Sequence, residues 1–254
     1  MNSAVPCEVE ARDVIVRYGQ VEAVNGLNLT VAAGEVLGLL GGNGAGKSST
    51  LRAFAGVNPP TSGYLNVAGY DLANPRQAEQ ARWVVGYCPD VGGLVRQATV
   101  REHIAVALAS RNMADAWPQA LEMLDLFGLA DVLDRETHGF SHGMSRRLSV
   151  MLAAVTSSRV LILDEPFDGV DPLGVHATEH VIQQAREAGV AVIVSTHLLP
   201  LLAGVSDRIA VMVRGKVKET GPAGGYLGLT GAAHYEEILN GTADEDAPVP
   251  AGRP

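Results

Sequence analysis

The apolar positions of this chain keep two rhythms. Over residues 7–17 they alternate, with Val9, Ala11, Val14 and Val16 among them, and Leu27, Leu29 and Val31 alternate again before the turn Ala32-Ala33-Gly34-Glu35. Alternation predicts strands with one face buried. Residues 36–40, 160–163 and 190–194 are instead unbroken apolar runs, the pattern of strands covered on both faces of a parallel sheet. A further strand is expected at 64–68, and segments 208–213 and 216–219 flank Arg214-Gly215 as a hairpin.

Between these runs the pattern turns helical, at 48–55, 74–82 and 115–127. Thr99 and Glu102 have the spacing of a capping box and open a helix to about residue 110. Ser141 is placed as the N-cap of a helix reaching about 157, and Asp171-Pro172 begins another over 173–188. The reading is an α/β sheet domain over 8–221, interrupted by a helical insertion over about 95–157. A short segment, 1–7, precedes it. An extension, 222–254, follows, and its acidic Pro/Ala/Gly-rich tail GTADEDAPVPAGRP is expected to be disordered.

Composition narrows the function. With 254 residues, 47% of them hydrophobic, the chain can bury a large core. A net charge of -9 without a long basic block argues against a nucleic-acid partner. Cys7 and Cys88, the only cysteines, have no paired or metal spacing and read as free thiols of a reducing cytosol. The N-terminus has no basic n-region or apolar core, and no apolar run nears the ~18 residues of a membrane span. A membrane role is expected only through a partner.

The chemistry begins where the run 36–40 ends. Gly41-Gly42-Asn43-Gly44-Ala45-Gly46-Lys47-Ser48, followed by Ser49, fits G-x-x-x-x-G-K-[ST] between a strand and a helix. Its glycines let successive backbone N–H groups turn inward around phosphate oxygens, and the helix N-terminus adds partial positive charge. Lys47 is expected to reach the β- and γ-phosphates and Ser48 to ligate Mg²⁺. In VLILDEP, Asp164 and Glu165 end a buried strand, where an α/β sheet collects its ligands. Asp164 is expected to hold Mg²⁺ through water, and Glu165 to polarise the attacking water.

FSHGM, residues 140–144, fits no triad or metal site. Taken in order, however, Tyr18, the phosphate loop, FSHGM, VLILDEP, DGVDP and Ser195-Thr196-His197 resemble the nucleotide-binding subunits of ABC transporters, over roughly residues 8–221. The resemblance implies a P-loop NTPase core with an antiparallel β-subdomain and a helical signature-motif subdomain. It implies ATP and Mg²⁺, Tyr18 stacked on adenine, and His197 as the switch histidine. It further implies head-to-tail dimers in which Ser141 and Gly143, the signature, serve the partner's nucleotide, with Asp171 as helix cap and cross-dimer contact. For Tyr18 an ordinary strand-end aromatic is the alternative, since position alone supports the stacking role.

Two positions depart from the family pattern. His142 replaces the middle glycine of the signature, so its side chain must turn away from a nucleotide. Asp90, in YCPD, stands where the family's Q-loop carries Gln; it would approach hydrated Mg²⁺ but adds negative charge near the triphosphate. Arg146 and Arg147 read as solvated or locally paired, with no chemical role. The implied function is an ATPase motor, acting as a homodimer or with a related ATPase subunit. It would work on transmembrane permease subunits at the cytoplasmic face of the membrane, in export rather than import. A soluble regulatory ATPase acting on ribosomes or DNA is the alternative, and the short span between Gly46 and Ser141 leaves it no room for a long coiled coil.

Overall fold

The structure, a computed structural model, describes residues 6–91 and 93–244. A four-stranded antiparallel sheet is built from β1 (Cys7–Tyr18), β2 (Val21–Ala32), β4 (Ser62–Val67) and β5 (Tyr70–Asp71), in the order β2-β1-β4-β5. The alternation read at 7–17 slips one position between Ala11 and Val14. The structure shows why: the β1–β2 register shifts there, with Asp13 at a positive φ of 49°, so a bulge returns both Val14 and Ala11 to the buried face.

The second sheet holds β3 (Val36–Leu40), β6 (Val85–Cys88), β7 (Val160–Asp164), β8 (Ala191–Thr196), β9 (Arg208–Val213) and β10 (Lys216–Pro222), in the order β10-β9-β3-β8-β7-β6. All neighbours pair in parallel except β9 with β10. Both faces are covered. Val36, Leu40, Leu161, Leu163, Val192 and Val194 join one core, while Leu37, Leu39, Val160, Ile162, Ala191 and Ile193 join the other. The first core carries the helices α3 (Val100–Ala109), α4 (Trp117–Leu126), α5 (His142–Thr156), α6 (Pro172–Glu187) and α7 (Leu199–Val205). The second, shared with the antiparallel sheet, encloses α1 (Lys47–Phe54) and touches α2 (Pro75–Arg82).

The caps expected from sequence are made. Thr99 and Glu102 bond reciprocally as a capping box, Ser141 accepts from the Met144 N–H at 3.2 Å, and Asp171 accepts from the Gly174 N–H at 3.0 Å. Four elements went unread, among them the two-residue β5. Another, β6, is four residues long and carries Gly86, which looks wrong for a strand. A β-carbon there would lie 2.0 Å from the Ala153 carbonyl oxygen, so glycine is what lets α5 press on β6. The others are α7 and α8 (Gly228–Asp244). The latter is held by Glu219, which accepts from the Tyr226 hydroxyl at 2.8 Å and pairs with His234 Nε2 at 2.7 Å. The extension beyond 221 is therefore partly helical, and the first four residues of the tail read as disordered close α8; the rest of that tail lies outside the described residues.

Parallel pairing is what builds the site. Leu40 is level with Thr196, Asp164 with Ser195, and Cys88 with Leu163. The loops leaving β3, β8, β7 and β6 thus emerge side by side at one edge of the sheet, bringing Lys47, His197, Glu165 and Asp90 together.

Candidate active site

The phosphate loop leaves β3 and enters α1 through Gly46, whose φ of 104° is left-handed and whose added β-carbon would meet the Ala23 carbonyl oxygen at 2.4 Å. Only glycine satisfies both conditions. No side chain caps α1, so the N–H groups of its first turn remain available to a phosphate. The loop is braced from behind: the Gly215 N–H donates to the Ala45 carbonyl at 2.8 Å, and the Asn25 N–H to the Gly215 carbonyl at 2.8 Å.

Above the loop opens a cleft of about 660 Å³, lined by Gly42, Asn43, Gly44, Ala45, Gly46, Lys47, Ser48 and Ser49 together with Asp90, Glu165 and His197. That size suits a nucleotide-sized ligand. At its floor Lys47 Nζ donates to the Gly41 carbonyl at 2.7 Å and lies 3.2 Å from Glu165 Oε1. The other Glu165 oxygen, Oε2, lies 3.1 Å from His197 Nδ1. Glu165 is buried, and its φ of 48° puts a non-glycine residue in the left-handed region. That conformation costs of order 1–3 kcal/mol. Donation from its N–H to the Ser195 carbonyl and hydroxyl oxygens, each at 3.1 Å, holds it there.

Asp164 is fully buried. Its Oδ1 accepts from the Ser195 hydroxyl at 2.6 Å, while Oδ2 has no hydrogen-bond partner. Burial pushes its pKa up, and the hydrogen bond from Ser195 pulls against that rise. An orphaned carboxyl oxygen near Ser48 fits a hard divalent cation. Among the described residues no cluster of three or more His, Cys, Asp or Glu side chains could hold a metal.

Other predicted residues lie apart from this cleft. Tyr18 ends β1, its hydroxyl accepting from Asn58 Nδ2 at 2.9 Å, and it is not among the lining residues; Val21, Glu22 and Ala23 form that wall. Ser141, Gly143 and Asp171 also stand outside the lining. The His142 ring lies over Gly169 of the DGVDP turn, where a β-carbon would come within 2.5 Å of Nδ1, so signature and turn are in contact within one chain.

Sequence reasoning missed the hub role of Ser195, which joins Asp164 to Glu165, and the place of Asp168 and Arg214 in the cleft wall. Of the two readings of Arg146, solvation fails and pairing with a carboxylate holds: Arg146 is buried and paired with Asp90 Oδ1 at 3.1 Å. Arg147 is locally paired as expected, 3.9 Å from Asp171, and its Nη1 donates to the Phe127 carbonyl at 2.9 Å.

A phosphate loop between strand and helix, with a carboxylate pair ending a parallel strand two places along the same sheet, defines a nucleotide-hydrolysing P-loop domain. Residues 24–168 match the family described as ABC transporter. Over 217 residues the chain is 35% identical to Nod factor export ATP-binding protein I of Burkholderia lata, covering 84% of this chain and 71% of that one. It is 33% identical over 226 residues to daunorubicin/doxorubicin resistance ATP-binding protein DrrA of Streptomyces peucetius, covering 88% and 68%. The fold superposes on the solved structure of an ATP-binding subunit of an ABC transporter with a TM-score of 0.83 at 28% identity, covering 91% and 99% of the two chains. The chain belongs to the ABC transporter family, as an ATP-hydrolysing ATP-binding domain.

Proposed function

We propose that this chain is the motor subunit of an exporter, closing as a dimer on ATP to drive transmembrane permease subunits. The observation that carries the proposal is the unbroken line Lys47–Glu165–His197 across the floor of the phosphate cleft, within 3.1–3.2 Å at each step. Among the described residues no helix is long and apolar enough to cross a membrane, so transport requires such partners, at the membrane's cytoplasmic face.

In this reading the loop N–H groups and Lys47 bind the β- and γ-phosphates. Tyr18, beyond Val21 and Glu22, is assigned the adenine. Ser48 and Asp164 would hold Mg²⁺, which when bound neutralises charge on the phosphates. Glu165 accepts a proton from the water that attacks the γ-phosphorus as the bond to the bridging oxygen breaks and ADP leaves. His197, on the opposite carboxylate oxygen, orients Glu165 and senses the γ-phosphate. Ser141 and Gly143 present a hydroxyl and an unobstructed N–H to the partner's nucleotide from the positive end of α5, with Asp171 beside them.

Export follows from the relatives, whose names specify export and drug resistance. The test is a tagged Glu165→Gln protein captured from native membranes in ATP. Retention of a protein with several membrane spans supports the proposal; ribosomes or DNA-bound factors, with no membrane protein, contradict it.

A further inference from the structure

Arg146 lies on the first turns of α5, and its side chain is 4% exposed. Its guanidinium reaches two other segments. Nη1 donates to the Pro89 carbonyl at 2.8 Å and the Asp164 carbonyl at 3.3 Å. Nη2 donates to the Asp90 carbonyl and, at 3.1 Å, to Asp90 Oδ1. One cation thereby ties the helix bearing Ser141 and Gly143 to the end of β7, and both to the loop that follows β6. Its Nε has no partner, and among the described residues Asp90 is the sole carboxylate paired with this buried charge.

Asp90 also lines the nucleotide cleft. An unscreened carboxylate there would oppose a triphosphate. We propose that Arg146 is a positioning residue acting through Asp90: it screens that carboxylate from the nucleotide and fixes the loop after β6 to the signature helix. The pair, neutral as a whole, then stands where a neutral side chain would otherwise serve. Its fork geometry matters as well as its charge, because an ammonium cannot hold three carbonyls and a carboxylate in one plane. Just beyond Asp90, Val91 is 78% exposed, so movement of that outward-facing loop would be passed directly to α5.

The proposal rests on the ATPase reading, and the experiment separates the two. Full-length wild type, Arg146→Gln, Arg146→Lys, Asp90→Gln and Asp90→Gln/Arg146→Gln are compared by fluorescent ATP-analogue titration with Mg²⁺ and in EDTA. Steady-state kcat and KM, and nucleotide-free thermal unfolding, are measured alongside. Arg146→Gln should weaken ATP binding about tenfold, in EDTA as well as with Mg²⁺, because Asp90 is left uncompensated. The double variant should recover to within about threefold of wild type. Arg146→Lys should keep affinity but lose kcat, since the charge remains while the loop loses its fork.

A double variant as weak as Arg146→Gln, or wild-type affinity in Arg146→Gln, overturns the proposal. Should Arg146→Gln not fold, Arg146→Lys combined with Asp90→Gln decides: coupled effects on kcat support the proposal and additive effects overturn it. Wild-type protein that binds no ATP would overturn the ATPase reading itself, before any variant is compared.

Discussion

Nδ1 of His197 lies 3.1 Å from Oε2 of Glu165, although thirty-one residues separate them in sequence. Parallel pairing of β7 with β8, which sets Asp164 level with Ser195, accounts for the approach. Ser195 then fixes the Glu165 backbone through its carbonyl and hydroxyl. The histidine thus holds one face of the carboxylate while Lys47 lies on the other.

Removing the base should separate binding from chemistry. Glu165→Gln is expected to lower kcat by about 10²–10⁴-fold with little change in ATP affinity, because an amide cannot take the water's proton. Single-turnover hydrolysis beside an ATP-binding titration checks this. A kcat within a few-fold of wild type would assign the base elsewhere.

Asp164 should carry a stability cost at neutral pH. Its pKa is raised, chiefly by burial, so the folded state holds the proton more tightly than the unfolded chain. Stability therefore falls as pH rises from the unfolded carboxylate's value, near 3.9, through the raised folded value, and the whole cost is present above that. Without nucleotide, Asp164→Asn should raise the thermal midpoint at pH 7 by about 2–4 °C, and the gain should vanish towards pH 4. Added Mg-ATP should stabilise wild type more than the variant.

Ser141 serves as a cap within its own chain and, in the proposal, as a ligand across the dimer. Ser141→Ala should cost about 1 kcal/mol of stability through the lost bond to Met144. ATP-dependent dimers should weaken as well. A drop in the thermal midpoint with dimerisation untouched would leave Ser141 as a cap alone.

The two cysteines should differ in reactivity. Cys7 is exposed; Cys88 is buried, with its pKa pushed up to about 12 by that burial. Native protein treated with an alkylating reagent at pH 8 should gain one adduct, at Cys7, by peptide mass mapping. The second should follow only on unfolding.

These predictions rest on parts of the fold with different legibility. β3, β7 and β8 were readable because burial on both faces removes polar positions and leaves a continuous run. Ser141 and Asp171 were readable because a cap is a local bond between near neighbours. β6 was hidden by Gly86, whose reason lies in α5, a segment remote in sequence. α7, seven residues of LPLLAGV, is too short and too uniformly apolar to show a helical period. For Arg146 two readings stayed open, because its burial depends on where the loop after β6 passes, which no pattern within α5 reveals.

In the proposed motor, this chain's signature completes a nucleotide site on a second copy or a close relative. Sedimentation of Glu165→Gln protein with and without Mg-ATP measures that. ATP addition should shift monomer to dimer with two ATP retained per dimer, and adding Ser141→Arg should abolish the shift. A monomer that binds ATP stoichiometrically and stays monomeric through the whole concentration range would contradict it.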